Sequence, residues 1–284
     1  MFHLQSPHVL QMLEKSMRKC LPESLKMREQ NLFLQQKHDF DNNTFLCPED
    51  YRIRERFEMT DDFDHYTNSY HIYSKDPENC QECLDMSGII NWKQHLQIQS
   101  SQSRLNEVIQ SLVAAKLVKV KRSQCQLYEM PETAKKLVPF LLETKNLCYK
   151  SGILKAINQE MFKLSSLKTT HASLMNKFWH FGGNERNQRF IECCIQNLPF
   201  CCLLGPERTT VSWFVMDHTG ELWMAAIMPE SRGQGLMSYL IWSQFQILDK
   251  LGFPLYYHAD RANKCVQGVS HALHHILMPC DQNQ

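Results

Sequence analysis

Apolar and polar positions follow two rhythms along this chain. In the first half Leu105, Val108, Ile109 and Leu112 recur at three- and four-residue steps, which predicts a helix over Ser103–Lys116. A helix is also predicted near Val9–Cys20. Asp-Pro at 76–77 opens another through Leu84, because proline suits a first helical turn. "IINWKQHLQIQ" alternates as a strand does, "LVKVKR" and "CQLYEM" read as further strands, and Pro131–Glu143 as a helix with proline at its start. Met27–Glu58 is polar and poorly patterned. The second half is more orderly. "QEMFKL" reads as a strand, Thr169–Phe178 as a helix with a threonine cap, and Asn184–Gln196 as a helix after the Gly182–Gly183 break. "FCCLLG", "TVSWFVMD" and "ELWMAAIM" read as three strands, the last two joined by the turn sequence "DHTG". Leu236–Leu251 is a helix, "FPLYYHAD" a strand and Ala262–His274 a helix.

The order in that half is therefore β-α-α-β-β-β-α-β-α. Antiparallel strands lead into a β-α-β crossover, which is right-handed and joins parallel strands. The expected fold is α/β, a mixed sheet with helices on both faces. The polar, glycine-bearing stretch "KNLCYKSGILK", Lys145–Lys155, marks the expected boundary between a domain at 1–150 and one at 151–284.

Composition narrows the function. Hydrophobic residues make up 43% and charged residues 21% of 284 positions, enough for a substantial core. A net charge of +1 argues against nucleic acid as the main partner, and no apolar run reaches the length of a membrane span. The twelve cysteines fall into close groups, Cys80 with Cys83, Cys193 with Cys194 and Cys201 with Cys202. Set among Ile, Phe and Leu, the adjacent pairs read as small buried hydrophobes, reduced and intracellular. Cys80-x-x-Cys83 lacks a second well-spaced pair, so no metal is expected. Leu10, Leu13 and Met17 share one helical face with Lys15, Arg18 and Lys19 nearby. That is weakly like a mitochondrial presequence, and an ordinary first helix is the plainer reading.

The stretch that carries chemistry is "GELWMAAIMPESRGQGLMSYLIWSQ", Gly220–Gln244. An apolar strand ends in proline, passes through Arg232-Gly233-Gln234-Gly235-Leu236-Met237 and becomes a helix. Glycines let a ligand approach the backbone closely, and the N–H groups at a helix start favour an anion. A pyrophosphate fits. The stretch lacks the Gly-Lys-Ser/Thr of a P-loop and the third glycine of the dinucleotide motif. Taken alone, a plain glycine turn before a helix is the competing reading.

Arg-x-x-Gly-x-(Gly/Ala) after a strand, in this β-α order, resembles the GNAT superfamily of CoA-dependent N-acyltransferases. Here Met237 stands at the last position. The resemblance implies that the fourth strand splays from the next one, with the pantetheine arm of CoA in the gap and its pyrophosphate on Arg232–Met237. The thioester then falls back along the strand, near Glu221. N-acyl transfer needs a base there, because an ammonium has no lone pair. Glu230, the rival carboxylate, lies beside the phosphate turn. Asn263, at the start of the helix after the parallel strand, is expected to reach the pantetheine.

"MTDDFDHYTNSYHIYSKDP", "INWKQHLQIQSSQ", "AINQEMFKLSSL", "NKFWHFGGNERNQRFIECCIQNLP" and "CCLLGPE" together resemble the glycine N-acyltransferase family. That family implies transfer of an acyl or aroyl group, such as benzoyl, from acyl-CoA to the amine of glycine. It further implies Glu221, in "TGE", as the base, a degenerate GNAT-like first domain, and a setting in the mitochondrial matrix in detoxification of organic acids; a monomer is expected. Acyl-CoA is a co-substrate and no permanent cofactor is expected. Arg186 and Arg189 are candidates for the acceptor carboxylate, against a reading as surface arginines. Two departures stand out. Met27–Glu58 looks short and charged, and the chain ends at "HALHHILMPCDQNQ", where a closing strand is expected to be missing. These keep open a catalytically impaired acyl-CoA binder, or an enzyme that uses glutamine or another amino acid.

Overall fold

The computed structural model describes residues 68–283 with interruptions, the longest at 135–147, and before them only Lys15, which is helical. Otherwise the predicted helix at Val9–Cys20, the stretch Met27–Glu58 and most of Pro131–Glu143 lie outside the described residues. Backbone packing divides the chain into two compact units, Met1–Cys125 with Pro279–Gln284, and Gln126–Met278. The division cuts the strand Gln124–Glu129 after Cys125 and so falls before Lys145–Lys155.

In the first unit, β1 (Ser69–His71) pairs in parallel with β2 (Gln97–Gln99), Tyr70 opposite Ile98. Between them runs α1 (Pro77–Asp85), which begins on its proline as expected. α2 (Leu105–Ala115) follows, and Leu105 and Leu112 join Cys80, Leu84 and Ile90 in a core against which Val108 and Ile109 pack. The predicted strand at "IINWKQHLQIQ" shrinks to its last residues. Asn91 captures its first part in a turn, where Oδ1 accepts from the Lys93 N–H and Nδ2 donates to Gln94. Asparagine offers the backbone this local partner in place of a strand ladder. "LVKVKR" forms no strand. Leu117 is left-handed at φ 55° and 93% exposed, so that stretch has no sheet to join.

The second unit begins within β3 (Gln124–Glu129) and continues with the short hairpin β4 (Cys148–Tyr149) and β5 (Gly152–Ile153). β6 (Lys163–Ser166) starts later than "QEMFKL" suggested, because Asn158 Oδ1 holds the N–H groups of Glu160 and Met161 in a turn. A 3₁₀ turn, Thr169–His171, leads into α3 (Ala172–Phe178). The expected threonine cap is not used: His171 Nδ1 instead accepts the Lys168 N–H. α4 (Glu185–Asn197) is capped by Asn184, whose side chain accepts the Asn187 N–H at 2.8 Å. It buries Asn187, Phe190, Ile191, Cys194 and Ile195, a single helical face.

β7 (Cys201–Leu204), β8 (Thr210–Met216) and β9 (Leu222–Ile227) complete an antiparallel four-stranded sheet in the order β6-β7-β8-β9. Every residue of β8 is buried, and α4 packs on it as does α5 (Leu236–Lys250), so both faces of the sheet are covered. Gln244, fully buried on α5, fastens helix to sheet: its amide donates to the Pro199 carbonyl at 2.6 Å and its Oε1 accepts the Cys201 N–H at 3.2 Å. Burial pushes the Cys201 thiol up to about 12 and the Cys202 thiol to about 11, so both stay protonated as apolar fillers.

β10 (Tyr256–Asp260), α6 (Lys264–Ala272) and β11 (Ile276–Asn283) end the chain, with β10 and β11 flanking β3 in the order β10-β3-β11. This corrects the expectation of a missing closing strand. "ILMPCDQN" is that strand despite its proline, which edge strands tolerate.

Candidate active site

The predicted splay is present. β9 pairs with β8 on one side, whereas β10, next in sequence after α5, belongs to the other sheet. Among the described strands none hydrogen-bonds the second edge of β9. The strand also carries a bulge. Trp213 pairs with Ala226 and Val215 with Trp223, so Met224 and Ala225 face Phe214 alone. Met224 takes the left-handed conformation at φ 54°, which costs a non-glycine residue roughly 1–2 kcal/mol. A bulge bends a strand and sharpens its twist. Sequence reading found the splay through the resemblance and did not find the bulge, which no turn residue signals.

At the far end of β9 pairing stops where expected. The Met228 N–H still reaches the Val211 carbonyl at 2.8 Å, and Pro229 then opens a 3₁₀ turn through Ser231. Arg232 is extended, and its Nε donates to the Ile227 carbonyl at 3.3 Å, which brings the exposed guanidinium back over the end of β9. Gly233 and Gly235 are both left-handed, at φ 74° and 76°. Gly235 is the N-cap of α5 and supplies no side-chain cap, so the first N–H groups of a 15-residue helix, those of Leu236 and Met237 among them, await an external acceptor. Nothing lies within 4 Å of a Cβ built on Gly233. The concavity is open, and Gln234 is half-buried beside it.

Glu221 immediately precedes β9. The hairpin that holds it turns on Gly220, at φ 81°, with the Asp217 N–H on the Glu221 carbonyl and the Glu221 N–H on Asp217 Oδ1 at 3.2 Å. The Glu221 side chain is 0% exposed and crosses the mouth of the gap to β10. Its Oε1 accepts two hydrogen bonds from one residue, the His258 backbone N–H at 3.0 Å and the His258 Nδ1–H at 2.7 Å. The carboxylate thus satisfies a backbone donor at the place where β9 and β10 diverge. His258 was missed by sequence reasoning. Its signal was present: it lies mid-strand in "YYHAD", and by the two-residue period it faces away from the buried Tyr257 and Ala259.

The other candidates separate by environment. Glu230 is exposed within the 3₁₀ turn, at the opposite end of β9 from Glu221. Asn263 begins α6 as predicted, but its Oδ1 caps the helix by accepting the Val266 N–H at 3.2 Å, so its amide N–H₂ is what it can offer a ligand. Arg189 pairs with Glu185 one helical turn away, both largely exposed, as a surface arginine does. Beside β9, Trp179 stacks on Phe190 and meets Trp223 at 6.2 Å and Phe181 at 5.9 Å between ring centroids. These rings give the strand an aromatic flank.

Known proteins are similar to this chain along its length. The family described as "Aralkyl acyl-CoA:amino acid N-acyltransferase" matches residues 1–199, and its C-terminal region matches residues 201–284. A glycine N-phenylacetyltransferase of Bos taurus is 60% identical over 100% of this chain and 98% of its own length. A glycine N-acyltransferase of Homo sapiens is 54% identical, with the same coverage of both chains. Among solved structures, a Drosophila protein determined by X-ray crystallography superposes with a TM-score of 0.70 at 12% identity, over 98% of this chain and 96% of that one. That likeness concerns the fold alone.

Proposed function

The chain belongs to the aralkyl acyl-CoA:amino acid N-acyltransferase family, and on that premise we propose that it transfers an acyl or aroyl group from acyl-CoA to the amine of glycine. The observation that carries the reading is one strand with a different chemistry at each end. β9 has an open hydrogen-bonding edge, an anion cradle past its last residue, and a buried carboxylate–imidazole pair before its first. Its six residues span about 20 Å. The diphosphate of CoA rests on Arg232–Met237, with the cradle N–H groups and helix dipole as its partners. The pantetheine arm lies along β9, and the Asn263 amide is within its reach. The thioester then arrives beside Glu221.

The acceptor amine arrives as an ammonium and must be deprotonated before it can attack. The buried Glu221–His258 pair is the group at the thioester end able to draw that proton, with Glu221 as its anionic member. The aromatic flank of Trp179, Trp223 and Phe181 favours flat, apolar acyl groups such as benzoyl. The site of action is proposed to be the mitochondrial matrix, in detoxification of organic acids. A catalytically impaired acyl-CoA binder drew its support from two departures, the Met27–Glu58 interval and a missing closing strand, and β11 weakens the second.

The test is to incubate the purified chain with benzoyl-CoA or phenylacetyl-CoA and a panel of amino acids, following free thiol and acylated product together. Glycine-dependent thiol release with an equal yield of acylglycine is expected. Equal release with glutamine and none with glycine would move the acceptor. CoA binding without amino-acid-dependent release from any donor would overturn the reading.

A further inference from the structure

Glu221 is sealed from solvent, and its Oε1 accepts two hydrogen bonds from His258. The histidine side chain is itself only 2% exposed. With Nδ1 donating to an ionised carboxylate, the lone pair of an uncharged ring lies on Nε2. That atom is buried and has no hydrogen-bond partner among the described residues. Buried polar atoms are nearly always satisfied, so an unsatisfied one beside a reactive pair calls for an explanation. Glu221 faces the ring from the start of β9. Asp217, at the end of β8, holds the Glu221 backbone, and Cys194 on α4 lies near Asp217 with its thiol pushed far up by burial.

We infer that His258 is a catalytic residue of the acyl transfer: its Nε2 takes the proton from the acceptor amine, directly or through one water, while Glu221 stays ionised and fixes the ring. This rests on the acyl-transfer reading and assigns the proton to an atom. A carboxylate on Nδ1–H sets the tautomer, aims the ring and stabilises the imidazolium that forms. The bookkeeping closes. One ammonium proton passes to Nε2, and the freed nitrogen pair forms the C–N bond as the carbonyl π pair moves onto oxygen. When the tetrahedral intermediate collapses the C–S bond breaks, and the second N–H proton goes to the departing thiolate. The imidazolium then returns its proton to solvent. Acyl-CoA and zwitterionic glycine thus give acylglycine, CoA thiol and one proton.

The experiment is His258→Asn. An asparagine amide can still donate toward Glu221, as Nδ1 does, but has nothing to take a proton. The variant should lose about 10²–10⁴-fold in kcat with the KM for acyl-CoA unchanged. The loss should shrink at high pH, where glycine is already deprotonated. A folded His258→Asn enzyme within threefold of wild-type kcat, with an unaltered pH profile, would overturn the inference and leave the ring as a mere hydrogen-bond donor. A second readout does not depend on the variant folding. Imidazole ¹⁵N shifts of the wild type should show Nδ1 protonated and Nε2 bare at neutral pH, and the reverse tautomer would overturn the inference. Wild-type protein that makes no acylated product from any amine would instead sink the acyl-transfer reading, and this assignment with it.

Discussion

Replacing Gly233 by alanine separates the fold's requirement for the turn from the ligand's. Gly233 sits at φ 74° in a left-handed conformation, and an alanine there carries roughly 1–2 kcal/mol of backbone strain. A Cβ built on it meets nothing within 4 Å, so no steric term adds to that strain. For a unit of this size 1 kcal/mol lowers Tm by about 2–4 °C, so the expected fall is roughly 2–8 °C. Gly252, just beyond α5, provides the control. Its φ is 77°, and a Cβ there also meets nothing within 4 Å, so Gly252→Ala carries the same strain at the other end of the helix. The two variants should melt together. They should part in CoA affinity. The new methyl at Gly233 occupies space a diphosphate needs and displaces it from at least one charge-assisted hydrogen bond, worth about 1.5–3 kcal/mol. Calorimetry with CoA should show Kd raised about tenfold to a hundredfold for Gly233→Ala and unchanged for Gly252→Ala. Equal affinities for both variants would refute the placement of the diphosphate on this turn.

Two further outcomes follow from packing and burial. Gly182→Ala places a Cβ 1.8 Å from the Asn176 backbone oxygen, in the loop that Asn176 braces through Gly183 and Asn184, so its soluble yield and Tm should collapse, and a wild-type melt would contradict that geometry. His275 is buried against Tyr257, and burial lowers its pKa to about 3, so the unfolded chain binds a proton that the folded one does not between that value and the ordinary histidine value near 6.5. Stability should therefore fall with decreasing pH across that window, by at most about 1.4 kcal/mol per pH unit from this residue. His275→Asn keeps a hydrogen-bonding side chain beside the Tyr257 hydroxyl and should flatten that slope in urea titrations at stepped pH, whereas an unchanged slope would assign it elsewhere.

The helices of the second unit were legible in the sequence because each had both a period and a stop. α4 announces itself with Asn184 after a glycine pair and an apolar stripe from Phe190 to Ile195. The turn at Arg232–Met237 was legible because glycine in the left-handed region has few substitutes. Glu221 came from the resemblance and from strand spacing, and the structure places it at the mouth of the gap. What sequence could not supply are features made by partners distant along the chain. β3 belongs with β10 and β11 through long-range pairing, which no local pattern encodes. Met224 takes its left-handed turn without a glycine, because pairing on both sides of the bulge imposes it. The importance of His258 depends on a hydrogen bond 37 positions away. Local reading also overestimated strands where Asn91 and Asn158 hold the backbone in turns, since alternation of polarity survives in a turn that alternates by accident.

The central claim is that amine deprotonation happens at the start of β9, and it is tested most directly by the pH–rate profile of Glu221→Gln beside the wild type, with acyl-CoA and glycine each varied. Glutamine preserves shape and removes the charge that draws the proton and holds the His258 ring. The account predicts a kcat lower by about 10²–10⁴-fold, a KM for acyl-CoA within a fewfold of wild type, and partial recovery as pH rises and glycine deprotonates on its own. A variant with wild-type kcat and a profile of unchanged shape would contradict it and move the base away from this pair.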